Sequence, residues 1–474
     1  MNASSKSVAL FSAVEQLALL RAKKISPLEL AEEHIARIER LNPALNAFVD
    51  FDAERVRAAA RALPTTDATR HPLLGLPISI KSSIAVAGMR CENGSQLERG
   101  QTPGEDAVSV AHLRRAGAVV LGTTNCPEFL MAYETDNLLY GRTANPWDGT
   151  RTAGGSSGGE AAAIAAGLSA AGLGSDSGGS VRQPAHCTGI CSLKPTPGRL
   201  SSWGHILPCV GPFASLGSIG PMARTVGDVA LLFDLLAGVD AADPLGAPVS
   251  LRQYSREDLR QIPIAYFEDD GRLPVTPETR TAVRDAAAAL ARQGFRVRPL
   301  RPQGLEAARQ LWWKFFVQGG AMFLDSTLRG HEDSLSPVLL DFLSIARSQP
   351  PLTAQALLEA WAECDLLRRQ FLVAMQEHPI LLCPVSAVPA FHHGERTWTV
   401  EGQGVAYLDA MRYTQWFNAL AMPAAVVPVG RSPEGLPIGV QIAGTPYADE
   451  MVLSIAAAIE KDFGYSAPPM ANTA

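Results

Sequence analysis

The chain has 474 residues, with 41 Lys plus Arg against 47 Asp plus Glu and a formal net charge of −6. At 47% hydrophobic and 19% charged it can bury a large core, which excludes a disordered protein, and its slightly acidic balance argues against a protein built to grip nucleic-acid phosphates. Its seven cysteines, an odd number, exclude a fully paired intramolecular set and suit a reduced, cytoplasmic setting.

Near the N-terminus, Lys6 precedes a short apolar run at 8–14, but Glu15 and Gln16 end it and Arg21, Lys23 and Lys24 follow. No small-residue cleavage site stands where one is needed, so this segment reads as an amphipathic helix rather than a signal peptide. Ser12 with Glu15 forms one capping box, and Ser26 with Glu29 another, with Pro27 in the first helical position. The second helix is expected to run to about Leu41, before Asn42-Pro43. Short β-like runs follow at 76–81, 118–121, 262–267, 295–297, 380–383, 424–429 and 438–442. Helical patterns lie among them at 106–116, 226–237, 277–293 and 450–461. Strand-then-helix order predicts an α/β protein with a largely parallel, helix-covered sheet. No run of about eighteen apolar residues occurs, so no membrane span is expected.

Two stretches stand apart. From 142 to 218 the chain is dense in Gly, Ser, Thr and Pro without the polarity of a disordered linker. From 306 to 376 it is helical and aromatic, with Trp312, Trp313, Phe315, Phe316, Phe323, Phe342 and Trp361. Those rings read either as the core of an inserted helical region or as the wall of an apolar substrate pocket.

The first stretch holds Gly154-Gly155-Ser156-Ser157-Gly158-Gly159-Glu160 and then Gly174-Ser175-Asp176-Ser177-Gly178-Gly179-Ser180-Val181-Arg182. A phosphate loop needs Lys after its last glycine, and none follows. A dinucleotide fingerprint fails because Ser177 stands where the third glycine after Gly172 and Gly174 belongs. Gly154 to Gly158 matches Gly-x-Ser-x-Gly, yet that nucleophile elbow requires a preceding strand, and Asn145-Pro146-Trp147-Asp148-Gly149 reads as a turn. Asp176-Ser177-Gly178-Gly179 is like a serine-protease loop without the disulfide-rich context. Cys187, Cys191, His205 and Cys209 have a zinc-like spacing, but prolines punctuate the span and no second ligand-rich element supports it, so no metal is expected.

Lys81, Gly154 to Glu160 and Asp176 to Arg182 together resemble the amidase signature family of serine hydrolases. Ser156 follows Lys81 by 75 residues and Ser180 follows Ser156 by 24, as that family's motif requires. Gly75-Leu76-Pro77-Ile78-Ser79-Ile80-Lys81, Gly122-Thr123-Thr124-Asn125, Tyr140-Gly141-Arg142-Thr143, Leu193-Lys194-Pro195-Thr196, Leu420-Ala421-Met422-Pro423-Ala424 and Pro437-Ile438-Gly439-Val440-Gln441 extend the likeness over nearly the whole chain, most weakly from about 240 to 375. The resemblance implies a single α/β/α domain over 1–474 around a large mixed, mostly parallel twisted sheet. Within it, 1–63 would be an N-terminal helical part, 64–240 the signature core, 241–400 a variable, largely helical pocket region, and 401–474 the C-terminal strands and helix.

It further implies a Ser–cis-Ser–Lys triad: Ser180 as nucleophile, Ser156 as the bridging serine with a cis peptide, and Lys81 as base. The backbone N–H groups of Ser177, Gly178, Gly179 and Ser180 would form the oxyanion hole, with Asp176, Arg182 and Ser157 in support. The chemistry is coherent, because a serine hydroxyl is a poor nucleophile until a base takes its proton. One departure is clear: Ser82 and Ser83 follow the lysine where the family commonly has an acid.

Within the family the likeness is to fatty acid amide hydrolases, aryl acylamidases and urethanases. Leu130, Met131 and Tyr133 match an acyl-side segment, which favours a hydrophobic small-molecule amide or carbamate substrate. The expected protein needs no cofactor, binds no nucleic acid and is a monomer or homodimer. The alternative is a glutaminase of the amidotransferase A-type, working in a tRNA-dependent, multi-subunit complex.

Overall fold

The computed structural model describes residues 7–63, 70–208 and 211–472. Lys6 and Cys209 lie outside them. The strands, in chain order, are β1 (Phe48–Phe51), β2 (Pro77–Lys81), β3 (Val119–Thr124), β4 (Ala171–Asp176), β5 (Cys191–Lys194), β6 (Ser218–Ala223), β7 (Pro263–Tyr266), β8 (Arg296–Pro299), β9 (Ile380–Pro384), β10 (Thr397–Val400), β11 (Gln403–Ala406), β12 (Ala424–Arg431) and β13 (Pro437–Gly444). Eleven of them form one mixed sheet in the order β1-β3-β2-β4-β6-β5-β12-β13-β9-β7-β8, and β10 pairs with β11 apart from it.

The large mixed sheet is as expected, but its pairing is not mostly parallel. Parallel pairs are confined to two places, β3-β2-β4 and β9-β7-β8. The middle of the sheet, from β4 through β6, β5, β12 and β13 to β9, is antiparallel throughout. The physical reason lies in the connections. β12 and β13 are joined by a tight hairpin turn through Ser432 and Gly435, and β6 enters between β4 and β5, antiparallel to both. Antiparallel neighbours need no long crossover.

The two N-terminal capping boxes form as predicted. The second helix runs past its expected stop, over Pro27–Leu45 with Pro43 inside it. Pro43 forfeits one N–H donor in the final turn, and the helix ends instead at Asn46, whose φ is +52°. Asn42 Oδ1 then accepts the N–H groups of Ala47 and Phe48 at 2.9 and 2.8 Å, turning the chain into β1.

The helix Gly158–Ala165 is buried along its entire length, which its run of Gly and Ala permits. Ala162 and Ala163 belong to one buried cluster with Ile35 and Ile38, and Ile164 and Ala165 to another with Val181 and Val426. Arg37 and Arg224 donate to the carbonyls of Ala166 and Ile164 at 2.6 and 3.0 Å, placing cations at the negative end of the helix dipole.

The helical region contributes Leu305–Trp312, a π-helical turn Trp313–Gln318, Gly319–Leu328, Pro337–Arg347 and Ala354–Ala374. Leu311, Trp312, Phe315, Phe342 and Phe371 are buried with Trp416 and Phe417 in one apolar cluster.

β4 tolerates no side chain at Gly172. A Cβ there would lie 1.8 Å from Glu160 Oε1 and 2.4 Å from Ser79 O, so strand and helix close on each other only through glycine. Gly172→Ala is expected to cost about 3 kcal/mol or more, since the clash is with backbone as well as side chain. Urea denaturation of the variant would show it, and an unchanged midpoint would mean that the strand and helix are separable.

Candidate active site

Parallel strands β2 and β4 lie side by side, with Ser79 opposite Gly172 and Ile80 opposite Leu173. Their C-terminal ends therefore reach the same edge, where α/β proteins commonly hold their chemistry. Lys81 ends β2, fully buried, and its Nζ donates to Ser156 Oγ at 2.7 Å and to Ser175 Oγ at 3.1 Å. The Gly155–Ser156 peptide is cis. Ser157 N–H donates to the carbonyl of Ser180 at 3.1 Å, tying the loop before Gly158–Ala165 to the loop after β4. Ser156, Ser175, Ser177 and Ser180 line one cavity. Ser175 carries no signal of its own in the sequence; it reaches Lys81 only because β4 ends beside β2.

The loop after β4 is shaped by a buried ion pair. Arg182 Nη2 and Nε donate to Asp176 Oδ1 and Oδ2 at 2.8 and 3.0 Å, with both side chains excluded from solvent. The carboxylate also accepts the N–H groups of Gly179 at 2.8 Å and Val181 at 3.1 Å. Burial pushes the Asp176 carboxyl up, but the Arg182 charge and hydrogen bonds outweigh it and hold the group well below the usual carboxylate range. Arg182 reaches onward to Gln441 Oε1 at 2.7 Å, Asn418 Oδ1 at 2.6 Å and the carbonyl of Thr414 at 3.0 Å.

Gly179 has φ +130°, and a Cβ there would lie 2.3 Å from Thr414 Oγ1, so only glycine fits. Its N–H is engaged by Asp176, which sets it apart from the expectation for the oxyanion hole: it braces the loop. Among the described residues the N–H groups of Ser177, Gly178 and Ser180 meet no acceptor of the chain. Ser157 Oγ contacts the backbone of Ser175, donating to its carbonyl and accepting its N–H, both at 3.4 Å.

Where an acid was expected after the lysine, Ser82 Oγ meets Cys126 Sγ at 3.3 Å, and Ser83 Oγ meets His205 Nε2 at 3.2 Å. His205 Nδ1 lies 2.7 Å from the carbonyl of Leu207; a carbonyl only accepts, so Nδ1 carries the proton and Nε2 accepts from Ser83. Burial lowers the His205 pKa to about 4, leaving the ring neutral. The acid that feels the Lys81 charge is Glu160, buried on the helix Gly158–Ala165. It accepts from Ser79 Oγ at 2.5 Å and Thr124 Oγ1 at 2.8 Å, and burial raises its pKa to about 8 against those hydrogen bonds and the Lys81 charge.

Above the serines the walls are apolar. Phe129, Leu130, Met131, Leu207, Phe213, Phe316, Phe323 and Leu324 line the main cavity with His205. A smaller cavity on Ser180 is walled by Leu130, Met131, Tyr133, Trp312, Phe316, Phe342 and Leu408. Leu130, Met131 and Tyr133 thus stand beside Ser180. Of the aromatic residues in the helical region, Trp312, Phe316, Phe323 and Phe342 reach these cavities, whereas Trp313 lies under Arg309, 5.2 Å from ring centroid to guanidinium. Phe129 and Leu130 have φ of +46° and +67°, a conformation costly for such side chains. The turn is held from below by Glu128, which accepts from Ser95 Oγ at 2.8 Å and Ser336 N at 2.6 Å. Among the described residues neither wall carries a charged side chain.

Cys209 of the zinc-like set lies outside the described residues, and the other three members form no metal-binding group. Cys187 is buried near Ala390 and Leu436, Cys191 lies in β5, and both His205 nitrogens are occupied. Among the described residues no three His, Cys, Asp or Glu side chains are grouped to hold a metal ion, and no helix is long and apolar enough to cross a membrane.

This arrangement is matched by a family as well as by chemistry. Residues 29–453 fit the Amidase family model, and the chain belongs to the amidase signature family of amide hydrolases. It is 33% identical to an indoleacetamide hydrolase of Bradyrhizobium diazoefficiens over 96% of this chain and 87% of that protein. It is 34% identical to the A-type subunit of the glutamyl-tRNA(Gln) amidotransferase of Roseiflexus castenholzii, over 94% of each chain. The crystal structure of a bacterial aryl acylamidase superposes with a TM-score of 0.83 at 26% identity, covering 95% of this chain and 96% of that one.

The raised Glu160 pKa has a consequence for stability. The folded state holds a proton that the unfolded chain releases above its ordinary value of 4.5, so this group's contribution is full below that pH and is lost as pH rises through about 8. Glu160→Gln keeps the side chain neutral and should flatten that decline. Urea midpoints of both proteins at about pH 5 and about pH 9 check it; parallel declines would assign the effect to another group.

Proposed function

We propose that the protein is a serine amidohydrolase for linear amides with an apolar acyl or aryl group, extending to aryl carbamates and esters, with Ser180 as nucleophile. The observation that carries this reading is the Lys81–Ser156 contact at 2.7 Å on the floor of a cavity that also contains Ser180 and has uncharged, largely apolar walls.

In this reading Ser180 Oγ attacks the substrate carbonyl carbon as its proton passes to Ser156 Oγ, while the Ser156 proton passes to neutral Lys81 Nζ. The carbonyl π electrons move onto oxygen, where the N–H groups of Ser177, Gly178 and Ser180 receive the negative charge. The C–N bond then breaks as a proton returns from Lys81 through Ser156 to the leaving nitrogen. Water repeats the sequence on the resulting Ser180 ester. Asp176, Arg182 and Ser157 hold the loops without touching the substrate.

Sequence identity does not separate this reading from a glutaminase of the amidotransferase type, because relatives of both kinds match the chain to a similar degree. The pocket favours the apolar substrate. Free glutamine carries an ammonium and a carboxylate that need countercharges once desolvated, and the described walls supply none. The amide relatives bear the same way, since one is named for indoleacetamide, an aryl-substituted amide.

Ser180→Ala is expected to abolish amide hydrolysis and labelling by a fluorophosphonate. Label at Ser156 or Ser177 with undiminished turnover would reassign the nucleophile. A panel of aliphatic amides, anilides, aryl carbamates and glutamine should favour the apolar members, and glutamine turnover exceeding theirs would replace this reading with the glutaminase.

Lys81→Arg is expected not to support amide hydrolysis, because guanidinium stays charged and cannot take the proton. Lys81→Ala should lose several orders of magnitude on amides and less on esters, whose leaving groups depend less on protonation. Paired amide and ester kinetics on both variants read this directly. Normal amide turnover by Lys81→Arg would sink the proton relay.

A further inference from the structure

The loop after β4 is held on its carbonyl side by residues that the hydroxyl–lysine chemistry does not use. Trp312 Nε1–H donates to the carbonyl of Ser177 at 2.8 Å. Tyr133 Oη and Thr414 Oγ1 donate to the carbonyl of Gly178 at 2.8 and 2.7 Å. In a trans peptide the C=O of one residue and the N–H of the next point in opposite directions. Fixing the direction of Ser177 O therefore fixes the opposite direction of the Gly178 N–H, which meets no acceptor among the described residues. The Gly178–Gly179 peptide is clamped at both ends, by Tyr133 and Thr414 on its oxygen and Asp176 on its N–H. Among the described residues the Ser177–Gly178 peptide has only the Trp312 contact on its oxygen.

Trp312 has a second neighbour. Its ring stacks on Phe316 with centroids 5.0 Å apart and planes 15° off parallel. Phe316 belongs to the π-helical turn Trp313–Gln318, and its ring lines both cavities that flank Ser180. π-turns inside α-helices often mark functional positions. A side chain that touches substrate space is thus stacked on the one that orients an oxyanion donor.

We propose that Trp312 is a positioning residue for the oxyanion loop and that Phe316 couples it to the pocket, so that a bulky apolar acyl or aryl group seated against Phe316 holds the Gly178 N–H in its working direction. The assignment rests on the hydrolase reading above. It makes the helical region after Leu305 a determinant of rate as well as of binding.

The test compares wild type, Trp312→Phe, Phe316→Leu and the double variant on phenylacetyl and acetyl 4-nitroanilides, with a trifluoromethyl ketone analogue as inhibitor. Trp312→Phe keeps an aromatic ring and removes the donor. It is expected to lower kcat by about tenfold or more with little change in KM, and to weaken the ketone by a similar factor, while fluorophosphonate still labels Ser180. Phe316→Leu should reduce the preference for the phenylacetyl over the acetyl substrate, and the double variant should lose less than the product of the two single losses. A kcat for Trp312→Phe within about twofold of wild type, a loss carried by KM alone, or losses that multiply would overturn the proposal. If Trp312→Phe does not fold, Phe316→Leu decides: preference lost through kcat supports the coupling, and preference lost through KM alone overturns it. A wild-type protein that neither turns over amides nor labels at Ser180 removes the hydrolase reading itself. A working wild type with an indifferent Trp312→Phe removes only this assignment.

Discussion

The buried Asp176–Arg182 pair is the interaction on which the site depends. It fixes the curvature of the loop after β4, because the carboxylate takes the N–H groups of Gly179 and Val181 while the guanidinium crosses to Gln441 on β13 and to Asn418 and Thr414 on the helix Arg412–Ala419. The two charges are compensated by each other, by these bonds, by Asn418 Nδ2 on Asp176 Oδ1 at 3.0 Å and, for the carboxylate, by the charge of Lys194. Removing one partner of a buried pair typically costs about 3–5 kcal/mol, since it strands an uncompensated charge. Here the same loss would also release the loop that carries Ser180.

The remaining parts divide between a floor and an apolar wall. The floor is made of the ends of β2 and β4 and the helix Gly158–Ala165, where Gly159 and Gly172 let backbone approach backbone. The wall comes from elements remote in sequence, including a turn held in an unfavourable left-handed conformation at Phe129 and Leu130 and the helices after Leu305. A scaffold of this kind lets the wall vary while the floor keeps its geometry, which is how one fold serves many substrates.

Much of this was legible in the sequence, and what was hidden was hidden for physical reasons. Strands rich in Val, Ile and Leu, such as β9, β12 and β13, announced themselves. β4 and β6, which flank the site, did not, because Gly172, Gly174 and Gly220 are required by close contacts with Glu160, Ser157 and the carbonyl of Leu193 and erase the β-like pattern. The antiparallel middle of the sheet was missed with them. Lys81, Ser156 and Ser180 were found through motif resemblance, since residues 75 and 24 positions apart carry no periodicity that links them. Ser175, Thr414, Asn418 and Gln441 left no local signal at all; only the folded topology brings them to the loop. Pro43 misled for the opposite reason, as a strong local stop signal overridden by the buried face of its helix and the cap at Asn46.

The placement of β12 and β13 bears on how the chain is made. They stand in the middle of the sheet, between β5 and β9, although they are the last strands in sequence. Until the ribosome has released residue 444, β5 and β9 each present an open edge, and Arg182 lacks its contact with Gln441. The growing polypeptide therefore carries two incomplete half-sheets whose unpaired backbone groups can recruit strands from other chains. A message cut short before the final hairpin would yield an aggregation-prone product rather than a weakened enzyme.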